Sequence, residues 1–284
     1  MKSTKRTRQM VECSLLIAVG TVLSLFSLVQ MPYGGSVTLA SMLPIVLIAY
    51  RHGTLWGLGS GVVYAVVQQL LGLKNLSYFT TWQSIVAVIV LDYLVAFAVV
   101  GLGGVFRRGV KRQNLALAYG SLLVCVLRYI CHVISGATVW AGLSIPTEAA
   151  LAYSIGYNAT YMIPETVVLI LLAYYLGSLL DFRRAQPVRL PSAASGNGVA
   201  DLLSALAGLV AIGALGTDVA LVFAHLQNAD GEFDVTGLAV ERFVGSFWMG
   251  VTIVSAVAVI AVAALLVVRG ALLKQDAKME KQNG

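Results

Sequence analysis

Residues 128–165 read RYICHVISGATVWAGLSIPTEAALAYSIGYNATYMIPE, two apolar runs and their connector with an unusual density of polar groups. The ionisable and hydrogen-bonding side chains that stand out in it are Arg128, His132, Trp140, Tyr153, Tyr157, Asn158, Tyr161 and Glu165. Such groups cost free energy at membrane depth, so they persist where they contact each other, water or a ligand. We therefore interpret this stretch as a binding site.

Composition identifies the chain as an integral membrane protein. Of its 284 residues, 58% are hydrophobic and only 11% are charged, and the mean hydropathy is +0.85. A helix of roughly 20 apolar residues crosses a hydrocarbon core about 30 Å thick. We predict eight such spans, at about 11–30, 37–50, 54–72, 83–105, 115–136, 153–180, 201–224 and 244–268. The second is short and contains Pro44, so we expect it to be tilted, broken or buried against its neighbours. The predicted fold class is all-α.

The distribution of positive charge predicts the orientation. Sixteen of the 19 lysine and arginine residues fall in the N-terminal segment, the C-terminal segment and every second connection between them. Because cytoplasmic segments are enriched in Lys and Arg, we expect a multi-pass membrane protein with both termini in the cytoplasm. The net charge of +6 then reflects topology and attraction to anionic lipid, and indicates no nucleic-acid partner.

Several chemical functions find no support in the sequence. The cysteines Cys13, Cys125 and Cys131 all lie in predicted spans and show neither a disulfide framework nor zinc-ligand spacing. We see no nucleophile or metal constellation, so we expect no catalytic residue, no cofactor and no enzyme activity. A phosphate-binding G-x-x-x-x-G-K-[ST] loop is also missing, so uphill transport would draw energy from partner subunits or an ion gradient.

Small residues indicate close helix packing in two of the spans. In the first span Ser14 and Ala18 lie four residues apart, and in the third Gly57, Gly61 and Ala65 repeat at the same spacing. Such spacing lets another helix approach closely, either within the bundle or from a partner.

Two further features concern the polar stretch: a carboxylate in another span, and the spacing of residues within the stretch itself. Asp92 interrupts the apolar fourth span, and a membrane carboxylate needs a cation, either Arg128 or a ligand. Arg128, His132 and Gly136 follow each other at four-residue spacing, so they share one face of the fifth helix. Neutral histidine stacks, donates and accepts, which suits a flat heteroaromatic ligand as well as proton transfer.

Three motifs in order resemble a known family: LDYLVAF at 91–97, RYICHVISGATVWAG at 128–142 and YSIGYNATYMIPE at 153–165. Over roughly residues 8–182 the chain resembles the ThiT-type, thiamine-binding S components of energy-coupling factor (ECF) transporters. That resemblance implies a six-helix membrane bundle with a thiamine pocket near its outer face. It also implies a transmembrane coupling subunit and two ATPase subunits as partners, with the loaded binder tipping in the membrane to release thiamine.

The resemblance also implies roles for individual residues. The thiamine-binding residues that it carries over are Asp92, Tyr93, His132, Gly136, Trp140, Tyr153 and Asn158. Tyr33, beside Gly34 and Gly35 in a short link, becomes a candidate lid residue, and Ser14 and Ala18 become candidate contacts to the coupling subunit.

Thiamine chemistry suits these residue types. The ligand joins an aminopyrimidine to a thiazolium with a fixed positive charge, so it calls for aromatic faces, a carboxylate and amide or hydroxyl groups. Arg128 would repel the cation if it were free. We therefore expect Arg128 to be paired away from the ligand, with Glu165 as a candidate partner.

A polar linker divides the chain into a core and an extension. We predict a thiamine-binding membrane domain at 1–182, a cytoplasmic linker rich in Pro, Ser, Gly and Arg at 183–200, and a two-helix extension at 201–284. All candidate ligand groups precede the linker, so we expect the extension to serve assembly or stability.

Two alternatives within transport remain open at this stage. One is an S component for another vitamin. The other is a proton-coupled small-solute transporter that uses Asp92, His132 and Glu165 as a relay, although the repeat-related broken helices of such transporters are not evident here.

Overall fold

The computed structural model describes residues 2–31, 33–143, 147, 150–190, 198–224 and 248–283. Residues 191–197 of the predicted linker lie outside these residues. The start of the eighth predicted span, 244–247, lies outside them as well. The chain divides into two compact units, Met1–Val188 and Arg189–Gly284.

The first unit contains six helices. These are α1 (Lys2–Leu25), α2 (Leu43–His52), α3 (Thr54–Leu71), α4 (Trp82–Arg107), α5 (Gln113–Thr138) and α6 (Ala150–Leu179). A two-stranded antiparallel hairpin, β1 (Ser27–Gln30) and β2 (Ser36–Thr38), joins α1 to α2. A 3₁₀ turn, Leu73–Tyr78, precedes α4, and the short strands β3 (Leu180–Asp181) and β4 (Val188–Arg189) follow α6.

The second unit contains two helices, α7 (Gly198–Ala224) and α8 (Trp248–Asn283). Within it, the Ser255 hydroxyl oxygen lies 2.8 Å from each carboxylate oxygen of Asp218, to which it donates its hydrogen. This contact gives the acidic group of α7 a hydrogen-bond partner on α8.

The all-α prediction is confirmed, and the helix lengths fit a membrane protein. Among the described residues, six helices are long and apolar enough to cross a membrane: Arg6–Leu25, Thr54–Leu71, Trp82–Arg107, Gln113–Thr138, Ala150–Leu179 and Met249–Asp276. The apolar segment Leu202–Ala211 of α7 is shorter. α2 is also short, and its residues from Leu43 to Tyr50 are buried, in agreement with the expectation that it packs inside the bundle.

The boundaries of the first two predicted spans were wrong. Residues 27–30 belong to β1 and residues 36–38 to β2, so the first helix ends at Leu25 and the second begins only at Leu43. Strands formed by apolar residues such as Leu28 and Val29 have the same hydropathy as a helix end. Hydropathy therefore merged the hairpin with its flanking helices.

Close packing of small residues holds the core of the first unit together. A Cβ atom at Gly57 would overlap the carbonyl of Gly101 in α4, and one at Gly61 would lie 2.9 Å from the carbonyl of Ala98. Ala65, the third small residue on this face, is only 1% exposed. The predicted small-residue face of α3 is thus the surface that packs against α4.

The end of the first unit opposite the hairpin carries a polar cluster. Arg51 forms an ion pair with Glu12 of α1 and donates to the carbonyls of Phe182 (3.0 Å) and Ala185 (3.2 Å). Arg183 donates to the hydroxyl of Tyr50 at 3.1 Å. These contacts tie the segment that follows α6 to helices α1 and α2.

Candidate functional site

A cavity of about 240 Å³ lies at the hairpin end of the first unit. The hairpin, α3, α4, α5 and α6 surround it. The lining residues that carry polar or aromatic groups are Ser24, Tyr33, Ser36, Thr38, Ser41, Gln68, Asn75, Asp92, Tyr93, Phe97, Arg128, His132, Trp140, Tyr157, Asn158, Tyr161 and Glu165.

Asp92 projects from an irregular part of α4. Residues Ile89–Val95 are π-helical, and the segment Val99–Arg107 tightens to a 3₁₀ helix. Single-turn π segments insert an extra residue into a helix and often occur at functional sites. This local widening alters the register of α4 where Asp92 and Tyr93 meet the cavity.

Three donors hold the Asp92 carboxylate. His132 Nδ1 lies 2.9 Å from Oδ1, while Ser135 Oγ (2.7 Å) and Trp140 Nε1 (2.9 Å) both donate to Oδ2. The side chain is 14% exposed, so the negative charge is fixed in position while still lining the cavity.

Arg128 does not pair with Glu165, contrary to our expectation. Its Nη1 lies 2.8 Å from Met42 Sδ, its Nη2 lies 3.3 Å from His132 Nε2, and its guanidinium sits 4.3 Å from the centre of the Phe97 ring. Among the described residues, Arg128 forms no ion pair with a carboxylate within 4.0 Å. A thioether, an imidazole and a ring face therefore replace the expected acid.

Glu165 instead anchors the hairpin. The backbone N–H of Thr38 donates to its Oε2, and the Thr38 hydroxyl lies 2.7 Å from its Oε1. The side chain is only 2% exposed. The hydrogen bonds from Thr38 therefore replace the hydrogen bonds to water that the carboxylate loses when it is buried. Because Thr38 satisfies it, Glu165 contributes to the site by fixing β2 to α6.

Aromatic rings cluster at the hairpin end of the cavity, and Tyr33 and Trp140 of this cluster line it. Tyr33 at the hairpin tip packs edge-on against Tyr78 (5.6 Å between ring centres), and Tyr78 lies 6.0 Å from Trp140. Phe79 packs against Trp140 at 4.7 Å, and Trp140 is only 8% exposed. Trp140 is therefore a buried wall of the site and not a lipid-facing residue at the interface. We call these four residues the aromatic roof.

The hairpin tip reaches the roof by an unusual backbone path. Gly34 and Gly35 have φ angles of +99° and +90°, in a region that residues with a Cβ rarely adopt. A Cβ at Gly35 would also lie 2.8 Å from the Tyr161 ring, and the Tyr157 hydroxyl donates to the carbonyl of Gly34 at 3.0 Å. The sequence GG thus permits the tip to lie directly on the two α6 tyrosines.

Asn158 joins α6 to α5 beside the cavity. Its amide nitrogen donates to the carbonyls of Ser154 (2.9 Å) and His132 (3.2 Å), and its oxygen accepts from the Tyr161 hydroxyl at 2.6 Å. Gly136 faces the same contact, because a Cβ there would overlap Ser154 Oγ. Gly136 and Asn158 therefore shape the wall as well as line it.

We expect Gly136→Ala to destabilise the protein, because the added methyl group displaces Ser154 from the α5–α6 contact. Overpacking of this kind costs about 1–3 kcal/mol. Gly156→Ala on α6 is the matched control, since a Cβ there meets nothing within 4 Å. Thermal unfolding in detergent should show a clearly lower midpoint for Gly136→Ala alone. Equal midpoints for the two variants would contradict the packing seen here.

Most of the residues predicted for the site meet in this cavity. Asp92, Tyr93, His132, Gly136, Trp140, Asn158 and the lid residue Tyr33 all line it, as do the two supporting residues Arg128 and Glu165. Tyr153, one helical turn before Tyr157, is half-buried and is not among the lining residues in the described part of the chain.

Sequence reasoning missed several members of the site. Tyr78 and Phe79 lie in the connection before α4, Phe97 lies one turn beyond Tyr93, and Thr38 follows the glycine-rich link. A pair of aromatic residues between two membrane spans was an available signal for the roof. No local sequence pattern predicts the role of Thr38, since its hydrogen-bond partner Glu165 lies 127 positions away in the chain.

Two other predicted features can be located. Ser14 and Ala18 are exposed on α1, together with apolar neighbours such as Leu15 and Val22. No cluster of three or more His, Cys, Asp or Glu side chains suited to a metal ion is found among the described residues.

Comparisons with known proteins agree with this architecture. Residues 10–181 match the model of the thiamine transporter protein family (Thia_YuaJ). The chain is 34% identical over 179 residues to the thiamine transporter ThiT of Bacillus subtilis (strain 168), an alignment that covers 59% of this chain and 89% of that protein. A solved structure of ThiT from Listeria monocytogenes superposes with a TM-score of 0.51 at 22% identity. That superposition covers 61% of this chain and 94% of the other, and it supports the fold.

Proposed function

Because the chain belongs to the thiamine transporter protein family, we propose that it captures thiamine at the outer face of the bacterial plasma membrane. The thiamine site is the cavity at the hairpin end of the first unit. The observation that carries this proposal is the Asp92 carboxylate. It lines the cavity, accepts hydrogen bonds from three side chains and, among the described residues, is paired with no arginine or lysine.

Charge in the cavity suits a monovalent cation. The ionisable groups that line it, apart from tyrosines, are Asp92, Glu165, Arg128 and His132. With both carboxylates ionised and the histidine neutral, their formal charge is −1. The permanent charge of a thiazolium would neutralise this cavity, and opposite charges attract more strongly in a partly buried site than in bulk water.

Ring chemistry suits the rest of the ligand. Trp140 and His132 offer faces for stacking and cation–π attraction, and Tyr93 adds a third ring beside Asp92. The amide oxygen of Asn158, which accepts from Tyr161, accepts a second hydrogen bond from the aminopyrimidine. Gly136 forms part of the cavity wall, and Tyr33 covers the entrance as a lid. Tyr153 remains a proposed ligand residue on the family resemblance, although it does not line the cavity in the described residues.

We further propose that the chain is the S component of an ECF-type ABC importer. Its partners are then a transmembrane coupling subunit and two ATPase subunits. The ATPase subunits supply the energy for transport, because this sequence has no phosphate-binding loop for ATP. The exposed residues Ser14 and Ala18 on α1 form the proposed contact with the coupling subunit, because small residues permit close helix approach.

Orientation follows from charge. Arg51, Arg107 and Arg183 belong to the end of the first unit opposite the hairpin, where Arg183 also reaches the backbone of Lys111. Positive residues favour the cytoplasmic side, so the proposed arrangement places this end and both termini in the cytoplasm. The cavity then opens toward the outside, as capture of an external nutrient requires.

Binding of radiolabelled thiamine to the purified chain tests the proposal. We expect saturable binding of one thiamine per chain in detergent, without ATP and without partner subunits. Excess unlabelled thiamine should displace the label, while the aminopyrimidine fragment alone, which lacks the positive charge, should compete poorly. Absence of saturable binding by folded protein would refute thiamine capture.

The proposed domain organisation predicts that the C-terminal extension is dispensable for binding. A chain that ends at Gln186 keeps every residue of the cavity and also the carbonyls of Phe182 and Ala185 that bind Arg51. We therefore expect it to bind thiamine within about threefold of the full-length affinity, a difference of less than 1 kcal/mol. Titration of both proteins in detergent measures this. A folded truncation with far weaker binding would show that 187–284 contribute to the site.

A further inference from the structure

The contacts around His132 determine which of its nitrogens carries the proton. A guanidinium group only donates, so the 3.3 Å contact from Arg128 Nη2 makes His132 Nε2 the acceptor. A neutral imidazole then carries its hydrogen on Nδ1, and this nitrogen lies 2.9 Å from Asp92 Oδ1, which only accepts. The two neighbours therefore select the same neutral tautomer.

We propose that Arg128 is a positioning residue that keeps His132 neutral, so that the negative charge of Asp92 stays available to a cationic ligand. Addition of a proton to Nε2 would break the hydrogen bond from Arg128 and place an imidazolium beside a guanidinium. Burial of His132 is the main factor that opposes its protonation, and the guanidinium of Arg128 adds to it. Without Arg128, the attraction to Asp92 favours an imidazolium, which would pair with Asp92 and compete with the ligand cation. This inference rests on the proposed function, because the ligand charge in question is that of thiamine.

Arg128 is well placed for this role. It is only 8% exposed, and Met42 Sδ and the Phe97 ring hold its guanidinium without neutralising it. Its Nε is buried and has no hydrogen-bond partner among the described residues, so this nitrogen does not connect the guanidinium to another hydrogen-bond network. The remaining directed polar contact of its side chain is the one to His132.

The titratable groups around His132 come from three helices. Asp92 and Tyr93 belong to α4, Arg128 lies one turn earlier on α5, and Tyr161 and Glu165 belong to α6. The Tyr161 ring centre lies 6.1 Å from that of His132, and Glu165 is bound by Thr38. Removal of Arg128 therefore leaves Asp92 as the charged partner in direct contact with the imidazole.

The test compares thiamine affinity at two pH values. Full-length wild type, Arg128→Met and Arg128→Lys are titrated with thiamine at about pH 8 and about pH 5.5, on either side of the ordinary histidine range near 6.5. We expect Arg128→Met to lose about tenfold more affinity than wild type when the pH falls, because its His132 protonates in the unliganded state. Arg128→Lys keeps a buried cation and a donor, so it should restore the wild-type profile. The double variant Arg128→Met/His132→Gln should lose the additional pH dependence of Arg128→Met and return to the wild-type profile, since His132 is gone.

A spectroscopic readout makes the test independent of affinity. Nitrogen-15 NMR of histidine-labelled wild type, with His132 identified by comparison with His132→Gln, should report a protonated Nδ1 and an unprotonated Nε2 across this pH range. In Arg128→Met, both nitrogens should become protonated at the lower pH. An unchanged pH profile together with a neutral His132 in Arg128→Met would overturn the inference, whereas failure of wild type to bind thiamine at either pH would overturn the proposed function itself.

Discussion

Asp92→Asn is expected to weaken thiamine binding by about 100- to 1,000-fold, the largest loss for any single side chain of the site. Two unit charges about 4 Å apart attract by about 4 kcal/mol at the effective dielectric constant of a partly buried site, and tenfold in affinity corresponds to about 1.4 kcal/mol. Asparagine keeps the shape of the residue but removes its charge. An analogue with a neutral ring in place of the thiazolium should therefore lose only about tenfold, from altered hydrogen bonds.

Ser135→Ala provides the matched control for this prediction. It removes one of the three donors to Asp92 but leaves the carboxylate in place. Its effect should be about tenfold or less, and it should be the same for thiamine and for the neutral analogue. Isothermal titration of both ligands against the three proteins separates the charge from the shape of the site. Equal losses for both ligands in Asp92→Asn would assign Asp92 a structural role, as an acceptor for His132 and Trp140.

Reconstituted vesicles should show an all-or-none requirement for partner subunits. With this chain alone, thiamine is expected to bind at the outer surface without accumulating, even when a proton gradient is imposed. Each tenfold concentration gradient costs about 1.4 kcal/mol, and this chain carries no phosphate-binding loop for ATP. Within the described residues, Glu165 is hydrogen-bonded to Thr38 and not to the Asp92–His132 pair, which offers no support for a three-residue proton relay.

Vesicles that also contain a coupling subunit and two ATPase subunits should accumulate radiolabelled thiamine when ATP is inside. Omission of ATP is the internal control and should return uptake to the level of binding alone. Uptake by this chain without the partners, driven by the proton gradient, would establish a secondary transporter instead. A chain that binds thiamine but accumulates none with any coupling module would leave capture intact and remove the ECF assignment.

Periodicity and spacing predicted the helical part of this fold well. Gly57, Gly61 and Ala65 were identified as a packing face because helical neighbours recur every three or four residues, and this face does contact α4. Arg128, His132 and Gly136 were placed on one face by the same rule, and all three line the cavity. Sequence spacing therefore predicts which residues share a face where the helix that carries them is regular.

The hairpin and the irregular helix escaped prediction for physical reasons. Residues 27–30 are as apolar as the helix before them, so hydropathy extended the first span through β1. The π segment Ile89–Val95 changes the register of α4, and no residue in LDYLVAF signals such a change. In both places tertiary contacts determine the backbone path.

Pairing between distant residues was equally hidden. Arg128 was expected to pair with Glu165 because a free guanidinium would repel the ligand cation. In the structure Thr38 of the hairpin satisfies Glu165, and an imidazole, a thioether and a ring surround Arg128. Charge complementarity predicts that a buried group has partners, but it does not identify them when uncharged donors are close.

Thiamine titration followed by tryptophan fluorescence tests most directly whether thiamine occupies the cavity beside Asp92 and Trp140. The chain has four tryptophans, and only Trp140 lines the cavity in the described residues. In wild type we predict saturable quenching with one thiamine per chain. Trp140→Phe should lose most of this quenching while radiolabelled thiamine still binds, about tenfold more weakly, because phenylalanine retains a ring face but not the N–H that donates to Asp92. Undiminished quenching in Trp140→Phe would place the ligand elsewhere and contradict the account.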